Sequence, residues 1–464
     1  MRHKSRPYQR EIIRGLQVLF GKDEQRVVLQ LPTGAGKTHI ATELIAMAKS
    51  SRCLYVVPSR VIMAQTEAKL SELGEPSVRL AAGDYPDLEA TRIVLASSHT
   101  LVRRFRGHTF DEWAPDLIVW DEAHRLIDQQ KRVLGKWQSV AAIGLTATPI
   151  RLDGEPLIDL YPRMLCGPSI SELQQQGFLV HARTYEAPMP DLSTLRTRDG
   201  EWEQKGLESL YSSRKMLRQL VGYWKKCASG RKTIAYTVGV AASLALRDAY
   251  RNEGITAEHV DGSTTAARLA EMFEALRDGR VSVLCNCKLL TEGLNVPEAD
   301  CVQLATSTKS LASYLQMVGR GLRPSPQKRD LVILDHGGNA YQHDLVEADR
   351  DWYRLGKSYT TSLKRCWSCG VIIQGWLERC PACYRDPRPI LPQSAASRGR
   401  QQRATSRATA PRAAPQWARP ARRIWARLEK QRHAEGLPLS FTESRVRRAI
   451  CQNKTQATKP HTPQ

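Results

Sequence analysis

“LPTGAGKT” (residues 31–38) decides how the rest of the chain is read. It follows an apolar run, “RVVLQL” (26–31), and opens a stretch with helical spacing, “THIATELIAMAKS” (38–50). A glycine-rich turn between a buried strand and a helix is the setting that a phosphate-binding loop requires. Backbone N–H groups along Thr33, Gly34, Ala35 and Gly36 can point at phosphate oxygens, aided by the positive end of the helix. Lys37 can reach the β- and γ-phosphates, and the Thr38 hydroxyl can ligate Mg²⁺. The general pattern begins with glycine, whereas this chain has Leu31. A plain turn before a helix is the competing reading, and “GKT” in this place outweighs it.

Outward from the loop, apolar runs alternate with helical patterns. “CLYVVP” (53–58), “RIVLAS” (92–97), “DLIVW” (116–120) and “AAIGL” (141–145) read as further buried parallel strands. The pattern pauses across 150–230. It resumes with “KTIAYTV” (232–238), “AEHVDG” (257–262), “VSVLCN” (281–286), “CVQLAT” (301–306) and “LVILDH” (331–336). Two such series predict two α/β domains in tandem, residues 1–170 and 231–345, with 171–230 as a connector leading into the second. A Cys/Trp-rich unit occupies 362–386, and a basic tail fills 387–464. Within that tail, “ARRIWARLEKQRHAEG” and “SFTESRVRRAICQ” predict two basic helices.

The 464 residues carry 69 Lys and Arg against 47 Asp and Glu, a net charge of +22. Residues 391–464 hold 16 basic and 3 acidic side chains, so most of the excess lies there. Such a distribution points to a polyanionic partner, with a merely solvated tail as the alternative. No apolar run is long enough to span a membrane, and “MRHKSRPYQR” lacks the apolar core of a secretory leader. Eleven scattered cysteines do not make a disulfide scaffold. A reducing, cytoplasmic setting is expected.

“LIVWDEAHR” (117–125) supplies a second element of phosphate chemistry. A strand ending in Asp-Glu places Asp121 near Mg²⁺ and lets Glu122 polarise an attacking water. With these two elements the chain resembles a superfamily 2 helicase of the DEAD/DEAH-box type, whose motifs it carries in order from residue 6 to 337. The resemblance implies two tandem RecA-like domains and ATP hydrolysis coupled to a nucleic-acid strand. “RPYQ” (6–9) is similar to the Q-motif, implying that Gln9 reads adenine. “VVPSR” (56–60) and “ASSHTL” (96–101) resemble strand-contacting motifs, implying roles for Pro58, Ser59, Arg60, Ser97 and Ser98. “TATP” (146–149) resembles motif III, in which Thr146 and Thr148, with His124, couple the ATP site to the strand. Thr237 in “TVGVA” (237–241) stands where a further strand contact belongs. “TEGLNVP” (291–297) resembles motif V, with Thr291 and Glu292 at the strand and Gly293 and Asn295 at the nucleotide. Relatives place Asp at the position of Asn295, so ribose recognition is expected to weaken. “YLQMVGRGLRP” (314–324) resembles motif VI, with Gln316, Arg320 and Arg323 facing the γ-phosphate. Within the family, “SLASYLQMVGRGLRP”, “KRDLVILDHGGN” and the cysteines behind them are most similar to RadD-like bacterial and phage DNA helicases. DNA, single-stranded or branched, is therefore the expected partner. An RNA-remodelling ATPase and an ATP-gated clamp that loads partner proteins through the ribbon or tail are the rivals.

“CWSCG” (366–370) and “CPAC” (380–383) set Cys366, Cys369, Cys380 and Cys383 in C-x2-C-x10-C-x2-C. Two such pairs can clip a tetrahedral site, so a structural zinc ribbon is expected. Trp367, Trp376 and Tyr384 are expected to form its small core, with base stacking as the alternative. Pro190-Asp191 followed by Glu203-x-Lys205 has the spacing of a nuclease motif, but the connector is too short for the sheet such a site needs.

Overall fold

The computed structural model describes residues 5–21, 25–84, 87–104, 110, 113–151, 154–198, 200–287, 296–354, 357–358 and 362–388. The basic tail and its two expected helices lie outside these residues, as does most of “TEGLNVP”.

The first domain is built on seven parallel strands: β1 (Arg26–Gln30), β2 (Cys53–Val57), β3 (Val78–Leu80), β4 (Ile93–Ser97), β5 (Leu117–Asp121), β6 (Ala141–Thr146) and β7 (Arg163–Cys166). Their order across the sheet is β3-β4-β2-β5-β6-β1-β7. The central strands are apolar along their whole length because helices cover both faces; β2 and β5 are buried at every position. The sheet order matters more than the strand count. β6 lies between β5 and β1, with Leu145 opposite Asp121 and Thr146 opposite Gln30. The carboxyl ends of three strands distant in sequence thus open onto one crevice, where ligands of open α/β sheets bind.

The second sheet contains β8 (Ala182–Glu186), β11 (Thr233–Thr237), β12 (Ala257–Val260), β13 (Val283–Asn286), β14 (Cys301–Ala305) and β15 (Leu331–Asp335), all parallel, in the order β12-β13-β11-β14-β15-β8. A short antiparallel hairpin, β9 (Thr197–Arg198) and β10 (Glu201–Trp202), follows β8 in the chain. Residues 171–230 are therefore not a connector, as their sequence suggested. β8 supplies an edge strand of the second sheet, and helix Arg214–Ala228 packs Met216, Leu220, Val221 and Trp224 against it. These side chains recur at three- and four-residue spacing behind the N-cap Ser213, which accepts from Met216 N.

Behind the second sheet, residues 362–388 fold around a hairpin, Leu363–Arg365 with Ile372–Gln374. Tyr185 of β8 bridges to Val371, and Glu186 N donates to Gly370 O at 3.3 Å. This unit thereby covers an edge that would otherwise present unpaired backbone groups. Its core is Cys366, Val371, Ile373 and Cys380. The expected aromatic core is absent: Trp367, Trp376 and Tyr384 are 67%, 70% and 79% exposed. Four clustered thiols hold together a unit too small to bury its largest side chains.

Candidate functional site at the domain interface

The loop Leu31–Gly36 leaves β1 and is pinned at its base by Leu31 N, which donates to Thr146 O at 3.0 Å. Gly34 and Gly36 have φ of +86° and +90°, a backbone region that other residues enter only with strain. Space is as tight as conformation. A Cβ on Gly34 would lie 3.0 Å from Arg323 Cγ, and one on Gly36 2.5 Å from Gln9 Nε2. Leu31, where the usual glycine is missing, is fully buried against Gly167, and its carbonyl accepts from Lys37 Nζ at 3.1 Å. A backbone carbonyl thus anchors the lysine, while the side chain serves the core. Thr38 follows in the first turn of helix Lys37–Met47.

Gln9 lies across this loop. Its amide donates to Ala35 O at 3.2 Å, and its carbonyl caps its own helix by accepting from Arg6 N at 2.9 Å. Tyr8 was not singled out in sequence, yet its hydroxyl donates to the same carbonyl at 2.7 Å. The Tyr8 ring packs 5.3 Å from Phe178, above which Arg6 sits at 4.8 Å. Tyr8 was legible as a neighbour of Gln9, but no local pattern flags Phe178.

At the end of β5, Asp121 is buried and Glu122 takes a left-handed backbone with φ of 51°. A non-glycine residue held there stores strain of about 1–3 kcal/mol, which sequence does not reveal. Glu122 and His124 meet the second domain. Gln316 Nε2 lies 3.4 Å from Glu122 Oε2 and 3.4 Å from His124 Nε2. His124 Nδ1 is 3.0 Å from Thr146 Oγ1, and that hydroxyl also bonds the Thr148 carbonyl and amide. Gln316 comes from helix Leu311–Gly319, whose last residue packs so closely on the loop that a Cβ there would fall 2.6 Å from Thr33 Cβ. Arg320 and Arg323 follow directly.

Three cations and two carboxylates converge here. Burial lowers the Lys37 ammonium, opposed by Glu122 and Asp121. Burial and then the neighbouring Glu122 raise Asp121 to about 7. Burial works to raise Glu122, but the neighbouring cations, Lys37 foremost, outweigh it and hold the carboxyl below its usual value. Burial and the adjacent Arg320 pull Arg323 down to about 10. A buried guanidinium whose charge is disfavoured, in a site where burial also disfavours the charge of Asp121, suits a polyphosphate accompanied by a divalent cation.

Other expected residues are distributed as follows. Pro58 is half-buried, and Ser59 caps helix Arg60–Glu72, accepting from Ile62 N. Arg60 is exposed and donates to Ala82 O at 2.8 Å. Ser97 bonds Thr100. Ser98 is buried at the start of its helix, and Thr237 is buried with its hydroxyl in reach of two carbonyl acceptors, Asn286 O and Gly239 O. Thr291, Glu292, Gly293 and Asn295 lie outside the described residues. The nuclease-like pattern makes no cluster: among the described residues, the four cysteines are the group of potential metal ligands that converges. Their sulfurs lie within 4.8 Å of one another, with Cys366–Cys383 at 3.7 Å and Cys369–Cys380 at 3.6 Å. A tetrahedron with metal–sulfur bonds of about 2.3 Å has edges of about 3.8 Å, so the set fits a zinc ion. No helix among the described residues is long and apolar enough to cross a membrane.

Fold and crevice together define a P-loop nucleotide hydrolase made of two RecA-like domains. The family model described as “Type III restriction enzyme, res subunit” matches residues 2–151, and “Helicase conserved C-terminal domain” matches 212–325. A “51.5 kDa protein” of Lactococcus phage (isolate 7-9) is 26% identical over 370 residues, covering 77% of this chain and 78% of its own. “DNA 3'-5' helicase XPB” of Mycobacterium tuberculosis is 27% identical over 342 residues, covering 69% of this chain; the chain spans only 58% of that relative. The solved structure of Saccharomyces cerevisiae Dbp5 bound to RNA and ADP BeF3 shares the fold, with a TM-score of 0.52, 16% identity, and coverage of 74% of this chain and 89% of that one. The chain belongs to superfamily 2 of the helicases, the ATP-hydrolysing family that its motifs announce.

Proposed function

We propose that the chain is an ATP-dependent DNA helicase or translocase. The observation that carries the reading is the contact of Gln316 with Glu122 and His124, which ties the second domain to the hydrolytic end of the first. Lys37 and the loop N–H groups hold the phosphates, Gln9 reads the adenine edge, and Thr38 and Asp121 hold Mg²⁺. A magnesium ion held by these two residues would supply charge neutralisation to the phosphates. Glu122 orients and deprotonates the attacking water, its carboxylate kept ionised against burial chiefly by Lys37. Arg320 and Arg323 stabilise the charge spreading over the transferred group. Because these arginines belong to the second domain, loss of the γ-phosphate weakens closure, and each turnover becomes relative domain motion along a strand. Pro58, Ser59, Arg60 and Ser97 lie on the first domain as strand contacts, and the four cysteines hold a structural zinc ion.

The choice of DNA rests on the helicase and translocase relatives and on the RadD-like stretch at 310–339. ATP hydrolysis measured with single-stranded DNA, duplex DNA, RNA or no nucleic acid tests it. DNA is expected to stimulate most, and Lys37→Ala to abolish turnover. Stimulation by RNA alone would move the substrate to RNA, and an unstimulated rate that Lys37→Ala leaves unchanged would end the motor reading. Stoichiometric zinc in the purified chain is expected, and its absence would remove the ribbon assignment.

A further inference from the structure

The small cysteine unit repeats one turn twice. In the first C-x2-C knuckle, the residue after the second cysteine is Gly370, with φ of +78° and its N–H donating to Cys366 O at 2.8 Å. In the second knuckle that place belongs to Tyr384, with φ of +60° and its N–H donating to Cys380 O at 2.7 Å. The same turn is thus made once by the residue that suits it and once by a residue that it strains. The strained residue gains nothing from packing, since its ring is largely exposed. Trp376 is exposed beside it, and the two rings line one open groove of about 630 Å³.

Cations border the same groove. Arg379 has no side-chain partner among the described residues. Lys364 donates to Leu377 O, and Arg388 is clamped by Asp386. Glu378 and Asp386 keep the groove from being uniformly positive. Two exposed aromatic faces interleaved with long cations are what unpaired bases stack on while their phosphates are neutralised. A duplex cannot use such faces, because its bases are already stacked. Packing against β8 fixes the unit to the second domain, so whatever it grips moves with that domain.

We propose that the Trp376–Tyr384 groove is a stacking site for single-stranded DNA, carried by the second motor domain. The choice of DNA rests on the function proposed above. The test uses the full chain and a fluorescein-labelled oligo(dT) of about 20 nucleotides, with matched duplex and oligo(rU) as further arms. Trp376→Ala and Tyr384→Gly are each expected to weaken oligo(dT) binding roughly tenfold, with duplex affinity and zinc content unchanged. Tyr384→Gly is the informative variant, because glycine relaxes the turn; a loss of binding cannot then be ascribed to a damaged knuckle. Trp376→Phe should restore most of the affinity. Neither ring releases counterions, so both alanine and glycine variants keep the salt slope, whereas Arg379→Ala lowers it by about 0.7. Trp367→Ala, outside the groove, should have the smaller effect. Wild-type affinity in a Trp376→Ala/Tyr384→Gly double variant with intact zinc overturns the site, as does an equal loss on duplex. Tighter binding of oligo(rU) overturns its assignment to DNA. A wild-type chain that neither binds nor is stimulated by any nucleic acid overturns the proposed function itself.

Discussion

Replacing Thr146 by valine exchanges one hydroxyl for a methyl of similar volume and tests how the two domains communicate. That hydroxyl is saturated. It donates to Thr148 O at 2.9 Å and accepts from Thr148 N at 3.0 Å, so its remaining lone pair must accept from His124 Nδ1 at 3.0 Å. His124 is thereby set as the tautomer with Nδ1 protonated, and Nε2 is left to accept from the Gln316 amide at 3.4 Å. The second hydrogen of that amide faces Glu122 Oε2, also at 3.4 Å. In Thr146→Val the carbonyl and amide of Thr148 lose a partner in a site almost inaccessible to water, and His124 Nδ1 is left facing Glu122 Oε2, 3.5 Å away. At roughly 1–3 kcal/mol per buried orphan, with partial relaxation, the first domain should lose on the order of 3–5 kcal/mol. The imidazole is then oriented through Nδ1 by Glu122 Oε2 in place of the hydroxyl, which turns the ring and loosens the contact of Nε2 with the Gln316 amide. A double-mutant cycle of Thr146→Val with Gln316→Ala, read in kcat of the DNA-stimulated ATPase, should show coupling of about 1 kcal/mol, near fivefold. Thr146→Ser keeps the hydroxyl and should keep the rate, which separates loss of the bond from loss of the fold. Additivity within about 0.3 kcal/mol would refute the pathway through His124.

Leu31→Gly restores the usual loop residue but empties a fully buried site against Gly167. Urea denaturation should show a loss of roughly 2–5 kcal/mol with no gain in ATP affinity; a tighter KM without that loss would mean that the leucine constrains the loop. Glu201, on β10, accepts from Thr308 Oγ1, Lys309 N and Ser310 N at 2.7, 2.9 and 3.0 Å, capping the helix that carries Gln316. Glu201→Gln turns an amide N–H toward one of these donors, and kcat should fall several-fold while KM for ATP holds; an unchanged kcat would show that the cap does not position the helix. His336 is fully buried, bonded to Pro188 O through Nδ1 and to Gln303 Nε2 through Nε2, and burial lowers it to about 4. The unfolded imidazole takes up its proton near 6.5 and the folded one does not until about 4, so stability is full above that upper value and falls as pH drops between the two. The loss should approach about 3 kcal/mol, and unfolding midpoints of His336→Asn should be flatter over the same range.

Most of the fold was legible because parallel strands buried on both faces must be apolar without a break, as in “CLYVV” and “LVILD”. β8, “ARTYE”, escaped for the opposite reason. It is an edge strand on which only Thr184 is buried, and its outer side is covered by residues nearly two hundred positions away. The same contrast holds in the site. Gly34, Gly36 and Lys37 do their work within one turn of chain, so spacing exposes them. The contact of Gln316 with Glu122 spans 194 residues and depends on how two domains meet. Glu122's strained backbone and Phe178's place beside Tyr8 have no local signature either. The ribbon marks the most instructive limit. Counting its apolar side chains leads to an aromatic core, since burial of a large ring ordinarily decides where it goes. Four cysteines drawn together within 4.8 Å replace that core, and an edge strand supplies the remaining contact. Relieved of packing, Trp376 and Tyr384 are left on the surface, where the left-handed backbone of Tyr384 closes its knuckle while the ring gains nothing from burial.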